Sequence, residues 1–418
     1  MNIRNILSVS RNIPRKKIFF ILIPLLVLVI FISNFAYGFA NHAPAKKAAV
    51  HPTPTATPSP TPSPTPTPRP TPTPVPTLPL VKNTRAILGI EGDLKVAYPR
   101  VPWVRLGYPT CGWGRLTGAM LKRAIDQYHM RGTRVLLTFC QGTNGSYNIN
   151  KLRDAARGGP DAVQCGNEEM KQDASVSFLY APPENFARFY DQCERAMHAV
   201  RAGIPVLLGS LDPHVSGVDY PQLYGQVDYL NQVQYAMNTL VHPHGHWSWQ
   251  NQTVGLIDSW HNGYPDGSVN NLAGLYVFWS QQFGVDLNSG ALGRHLWVVE
   301  GTGCFKGCGV DPNNSYQVAV SHVLSLITDV QTSMQYRIPF FYFSGEDFMD
   351  QGYYWPIGVL DMQGHAKAIR QDLSVGSRVL NMICPGHKVV AVTTQEDLLG
   401  RLYTSCALPD DYLSVIWS

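Results

Sequence analysis

Two short strings in this chain carry residues that can do chemistry together: Gly166-Asn167-Glu168 and Trp297-Val298-Val299-Glu300-Gly301. Each sets a carboxylate at the end of an apolar, strand-like run, and the two lie far apart in sequence. Carboxylates presented from the ends of different strands suit hydrolysis of a glycosidic bond, where one gives a proton and the other attacks the sugar carbon. Before reaction Glu300 has to be ionised and Glu168 protonated. At ~5–5.5 Å separation a charge on one raises the pKa of the other, so the pair itself generates that division. Glu169 is a rival for the donor role. Side chains alternate along a strand, so only one of the two is expected to face the site, and the preceding Asn favours Glu168. For Glu300 the competing reading is a salt-bridged structural acid. Asn-Glu alone is a weak motif; it gains weight only with Glu300 in the correct strand.

The elements that must position these groups are legible as alternating apolar runs and amphipathic stretches. Strands are predicted over 86–90, 103–107, 134–139, 162–166, 204–209, 253–259, 296–300 and 338–343. Helices are predicted over 116–131, 149–156, 182–202, 230–240 and 316–335. The helix starting at Pro182 and Pro183 uses proline where a first turn tolerates it. Strand–helix alternation of this kind argues for an α/β fold with a parallel sheet, and eight such strands for a (β/α)8 TIM barrel over 81–377. A doubly wound sheet is the rival, but the Gly-rich phosphate loop that many such folds carry after the first strand is absent. After about residue 378 the pattern changes to strand-like segments at 389–394, 401–405 and 412–417, read as a short C-terminal β appendage over 378–418.

In a (β/α)8 barrel the working side chains come from the C-terminal ends of the strands. Reading those ends in order gives Glu91 and Asp93, Tyr108, Gln141, Asn167 and Glu168, Asp212 and His214, His261 and Tyr264, Glu300, then Glu346 and Asp347. Arg105 lies inside the second strand among apolar neighbours, and facing inward it needs a carboxylate partner. With Asn-Glu ending strand four and Glu ending strand seven, the chain resembles the large clan of retaining glycoside hydrolases with (β/α)8 barrels that includes many cellulases, mannanases, xylanases and xylosidases. The likeness runs roughly from 86 to 370 and includes Gly358-Val359-Leu360-Asp361-x-x-Gly364, similar to the turn after the last strand in many members. It implies that Glu168 is the acid/base, Glu300 the nucleophile and Asn167 the partner of the sugar 2-hydroxyl. It also implies that Arg105 sits near the nucleophile, and that His261 and Tyr264 contribute after strand six. Departures are visible. Phe343 or Ser344 stands where the clan places a sugar-stacking Trp, with Trp355 as a replacement from a loop, and strand three ends Phe139-Cys140-Gln141 with no His. Glu91 is a further subsite candidate, as are Asp93, Glu346 and Asp347.

His242-x-His244-x-His246 invites a metal reading, but in a Pro/Gly loop it reads better as a surface segment, and Cys304-x-x-x-Cys308 lacks a matching ligand pair. No metal and no cofactor is expected. Trp247 and Trp249 are read as stacking surfaces for sugar rings, the alternative being that they seal a loop onto the core. The eight cysteines all follow the N-terminal apolar run, and Cys304–Cys308 and Cys384–Cys406 are the preferred disulfide pairs.

That run, residues 18–40, carries no charge and follows a basic tail over 1–17. It is about long enough to cross ~30 Å of hydrocarbon. A membrane anchor with its N-terminus in the cytoplasm and a cleaved signal peptide are both open readings, since Gly38-Phe39-Ala40 ends small-x-small. Both export the remainder, to the outer face of the cell membrane or free. Residues 41–80 are a Pro/Thr-rich linker, a polyproline-like spacer whose repeats reach about 80–90 Å at ~3.1 Å per residue. The net charge of +4 includes the basic tail, so the folded part is near neutral and no nucleic-acid partner is expected. The expected partner is a carbohydrate substrate, acted on by a monomer. The contrasting class is a catalytically silent, surface-displayed glycan-binding barrel; no Gly-x-Ser-x-Gly or His-Glu-x-x-His string supports another hydrolase.

Overall fold

A computed structural model of the chain describes residues 87–92, 102–171, 177–212, 223–258, 272–303, 315–350, 353–355, 357–365, 380–392, 401 and 406. The basic tail, the 18–40 run, the 41–80 linker, Asp93, His214, His261, Tyr264, the Cys304–Cys308 pair and the 412–417 segment lie outside the described residues. Among the described residues no helix is long and apolar enough to cross a membrane.

Eight parallel strands close into a barrel in sequence order, each hydrogen-bonded to the next and the first to the last. They are β1 (Leu88–Glu91), β2 (Trp103–Gly107), β3 (Arg134–Phe139), β4 (Ala162–Cys165), β5 (Val206–Leu211), β6 (Thr253–Asp258), β7 (Leu296–Gly301) and β8 (Phe340–Tyr342). The connecting helices are α1 (Gly118–Met130), α2 (Ile149–Arg157), α3 (Pro183–Val200), α4 (Leu223–Ala236), α5 (Leu272–Phe283) and α6 (Ser315–Tyr336). Strands two and three fall where the apolar runs place them. The fifth is shifted forward from 204–209 and the eighth is shorter than 338–343. The helix expected over 230–240 begins at Leu223 and ends in a π-helical segment, Met237–Val241.

The strands are buried on both faces, which is why they read as near-continuous apolar runs rather than alternating ones. The barrel interior is a separate small core of Trp103, Leu136, Ala162, Leu207, Ile257, Trp297, Val299 and Phe341. Trp103 meets Trp297 edge-on at 5.5 Å, and the Phe341 ring fills the place a side chain on Gly89 would take. With a period of two, the next inward layer is Glu91, Arg105, Thr138 and Gln164, so polar groups begin one step above an apolar plug. The outer core lies between strands and helices; α3 gives it Phe186, Phe189, Tyr190, Cys193 and Met197 at helical spacing.

Three disulfides are described: Cys111–Cys140, Cys165–Cys193 and Cys384–Cys406. The last is the expected pair. The first ties the loop after β2 to the end of β3, and the second ties β4 to α3. Loops of 29 and 28 residues closed this way are worth about 3–4 kcal/mol each on the chain-entropy model. At the C-terminus an antiparallel hairpin pairs β11 (Leu380–Cys384) with β12 (Lys388–Val392), the strand expected at 389–394. Of the strand expected over 401–405 only Arg401 is described, and it is helical. A second hairpin, β9 (Phe348–Asp350) with β10 (Tyr353–Trp355), follows the barrel and was not signalled by the sequence.

Candidate active site

The site is organised around one buried cation. Arg105 sits on the inward face of β2 with no solvent exposure, where an unpaired guanidinium is prohibitively costly. Its Nη1 donates to Glu91 Oε2 and to Glu300 Oε1, both at 2.6 Å, and its Nη2 donates to Asn167 Oδ1 at 2.7 Å. Its Nε donates to Thr138 Oγ1 at 2.9 Å and Gln164 Oε1 at 3.1 Å. Burial works against the Arg105 charge, but Glu91 and Glu300 outweigh it and raise its pKa. Five strands, β1 to β4 and β7, are thereby joined, and the partner that the sequence demanded for Arg105 turns out to be two carboxylates. One guanidinium does not balance both. Burial, resisted by Arg105 and reinforced by Glu300, raises the Glu91 pKa well above the usual carboxylate range.

Glu300 reaches this cluster through an irregularity. Trp297 and Val299 point into the barrel, so strict alternation would turn Glu300 outward. The pairing of β6 with β7 instead skips Val299, passing from Leu256↔Val298 to Ile257↔Glu300. That bulge re-aims the Glu300 side chain into the mouth beside Arg105.

After β4 the chain turns sharply, with Gly166 at φ 108° and Glu168 at φ 49°, the latter in the left-handed region that a non-glycine residue rarely occupies. This turn separates three consecutive side chains. Asn167 Oδ1 accepts from Arg105, from Ser210 Oγ at 3.0 Å and from Gln164 Nε2 at 3.1 Å, which leaves its Nδ2 hydrogens outside this cluster. Gln141 pins the Asn167 backbone, accepting from its N–H at 3.0 Å and donating to its carbonyl at 2.9 Å. Glu168 lies close enough to Glu300 to feel its charge. Burial, and then Glu300 and Asp212, push the Glu168 carboxyl up to about 7 against the opposing pull of Lys171. Glu169 goes the other way, fully buried against Gly209, where any Cβ would collide with its carboxylate. It accepts from the Ser210 N–H at 3.2 Å, and burial pushes it up to about 8. Backbone geometry thus parts the two glutamates: Glu168 is turned toward Lys171 and Glu300, and Glu169 is buried against β5.

Lys171 was not singled out in the sequence. Its Nζ lies 2.9 Å from both Glu168 Oε1 and Asp212 Oδ2. Burial opposes the Lys171 charge, but Asp212 and Glu168 outweigh it and raise its pKa. Since Lys171 holds the Glu168 pKa down, Lys171→Met is expected to raise the Glu168 carboxyl pKa in a carbon-13 NMR titration, and Lys171→Arg to restore it. An unmoved Glu168 titration in Lys171→Met would show that the ion pair does not tune that carboxyl.

The structure thus brings together Glu91, Arg105, Asn167, Glu168 and Glu300, with Gln141 and Asp212 from the same rim. Of Trp355 only the backbone is described, in β10. Several expectations need correction. Tyr108 turns out of the rim, its hydroxyl donating to Asp154 Oδ2 on α2 at 2.8 Å. Asp347 accepts from the Gly358 N–H at 2.7 Å and holds the turn after β8. Trp247 and Trp249 are not sugar-stacking surfaces. They lie in the segment leading into β6, at the opposite end of the barrel from the mouth. Trp249 is buried with its Nε1 bonded to Asn231, and Trp247 packs edge-on against Tyr190. His242 Nε2 bonds Asp191 Oδ1 on α3 at 2.7 Å and fastens that loop, and no metal-ligating cluster occurs among the described residues.

What the mouth can do chemically is hold a proton near neutrality on Glu168 while a second carboxylate, Glu300, is kept in place by Arg105. No protein-family model matches the chain, and no curated protein does either. Solved structures that resemble it are glycoside hydrolases. A glucosidase from Croceicoccus marinus matches with a TM-score of 0.45 and 10% identity, over 71% of this chain and 68% of that one. Fungal β-1,4-galactanases match with a TM-score of 0.42 and 14% identity, over 66% and 88%. The GH53 catalytic domain of Ignisphaera aggregans matches with a TM-score of 0.42 and 14% identity, over 73% and 98%.

Proposed function

We propose that this chain is a glycoside hydrolase that cleaves β-glycosidic bonds in oligo- or polysaccharides with retention of configuration. The observation that carries this reading is a pair of carboxylates at one barrel mouth, each held by a buried cation. Glu168 is raised to about 7 with Glu300 among the causes, while Glu300 is held by Arg105 at 2.6 Å. In the first step the Glu300 carboxylate attacks the anomeric carbon, the glycosidic C–O bond breaks and the Glu168 proton passes to the leaving oxygen. A glycosyl ester on Glu300 results. With that negative charge gone, Glu168 loses one cause of its raised pKa and serves as base. It takes a proton from water, the oxygen of which attacks the same carbon and releases Glu300. Arg105 fixes Glu300 and Asn167 relative to one another, and the free Asn167 amide donors suit the sugar 2-hydroxyl, where a strengthening hydrogen bond favours the transition state.

The charge-free run at 18–40 and the Pro/Thr repeats that follow it support export and tethering, with the barrel held outside the cell membrane. The test of function is hydrolysis of a panel of β-linked oligosaccharides and polysaccharides by the full chain, with proton NMR of the first-formed anomer. Release of the β-anomer supports the reading; a silent glycan-binding barrel would bind members of the panel and release nothing.

A further inference from the structure

We infer that Trp113 forms a stacking platform for a pyranose ring of a β-linked glycan, a subsite adjoining the sugar under attack. The inference rests on the glycoside-cleaving reading above and adds a residue to it. On β2 the inward positions are Trp103, Arg105 and Gly107, the last at the mouth. Gly107 has no side chain to present there. A Cβ on it would collide with Cε3, Cζ3 and Cδ2 of the Trp113 indole, so the six-membered ring occupies the space the inward side chain of that strand would have filled. The indole lies directly over the site cation, with Arg105 Cζ 5.3 Å from its ring centroid.

That place is wet. Trp113 is 37% exposed, although the Arg105 it covers is completely buried. An indole recruited only to seal the cation would gain by being buried itself. One presented to solvent at a barrel mouth offers an apolar surface that the CH-rich face of a sugar ring matches, with the ring hydroxyls left free at the edges. Every nitrogen of Arg105 already donates, to Glu91, Glu300, Asn167, Thr138 and Gln164, so the indole is not its main partner.

The platform is also preorganised. Trp113 follows a single 3-10 turn, Pro109–Cys111, closed by Gly112 at φ 83°, and Gly114 after it packs directly on the Gly107 carbonyl. Cys111 is bonded to Cys140 just beyond β3, which clamps the segment between two neighbouring strand ends. A surface fixed before the ligand arrives loses little entropy on binding.

The test uses the full chain in a Glu300→Gln background and β-linked oligosaccharides of increasing length from whichever class the parent cleaves. Calorimetric titration is expected to show affinity rising with length in the parent. Trp113→Leu, which keeps an apolar cover over Arg105 and Gly107, is expected to lose about tenfold or more of the longer ligands' affinity, and Trp113→Tyr to keep most of it. Hydroxyl-radical footprinting of the chain with Trp113 intact gives a readout that needs no substitution there. Bound oligosaccharide is expected to protect the Trp113 peptide from oxidation. Affinity within about twofold in Trp113→Leu, or oxidation of Trp113 unchanged by ligand, would overturn the inference while leaving the hydrolase reading intact. If the parent cleaves no β-glycan and the Glu300→Gln chain binds none, both fall together.

Discussion

Glu300→Gln is expected to abolish turnover, by on the order of 10⁴-fold or more in kcat, because the amide has no charge with which to form the glycosyl ester. The substitution is nearly isosteric, and its carbonyl oxygen still accepts from Arg105 Nη1, so the fold and the Arg105 cluster should survive. The expected signature is loss of kcat with binding retained, measured as reducing-sugar release against calorimetric affinity. A Glu300→Gln chain that turns over within tenfold of the parent would leave Glu300 only a structural role.

Glu168→Ala has a more divided outcome. Removing the proton donor costs about 10²–10⁴-fold on substrates with poor leaving groups. Activated aryl glycosides, which need no proton, should still glycosylate Glu300 and then stall for want of a base. Azide needs no base and fits the space vacated by the carboxylate, so it should restore turnover and yield the β-glycosyl azide. The pH profile adds a second check. In the proposed mechanism Glu168 acts in its protonated form in the first step, so kcat/KM of the parent should fall as pH rises through about 7, and that limb should vanish in Glu168→Ala. Rescue to an α-azide, or an alkaline limb that persists, would place the acid/base elsewhere.

Much of this was legible beforehand, for identifiable reasons. Strands buried on both faces appear in a sequence as uninterrupted apolar runs, and β2 and β3 fell at their expected residues. Arg105 stood out because a charge inside such a run has to be paid for by a partner. Other features depend on backbone geometry that composition does not encode. Glu300 faces the site through a bulge at Val299 that defeats simple alternation, and Glu168 parts from Glu169 through a left-handed turn. Trp113 left no periodic signal, since its place is defined by the missing side chain of Gly107. One misreading and one pairing left open were within reach of the sequence. Trp247 and Trp249 precede a strand, which assigns them to the end of the barrel away from the mouth. Cys111 and Cys140 each follow neighbouring strands, so their proximity was implied once the strand order was accepted.

The central claim is that Glu300 attacks a sugar while Glu168 serves it from across the same mouth. The most direct measurement is trapping with an activated 2-deoxy-2-fluoro-β-glycoside of the preferred sugar, followed by peptide mass spectrometry. The expected result is one glycosyl adduct per chain, carried on Glu300, accumulating as activity is lost. An adduct on Glu168 or another residue, or hydrolysis with inverted configuration and no adduct at all, would contradict it.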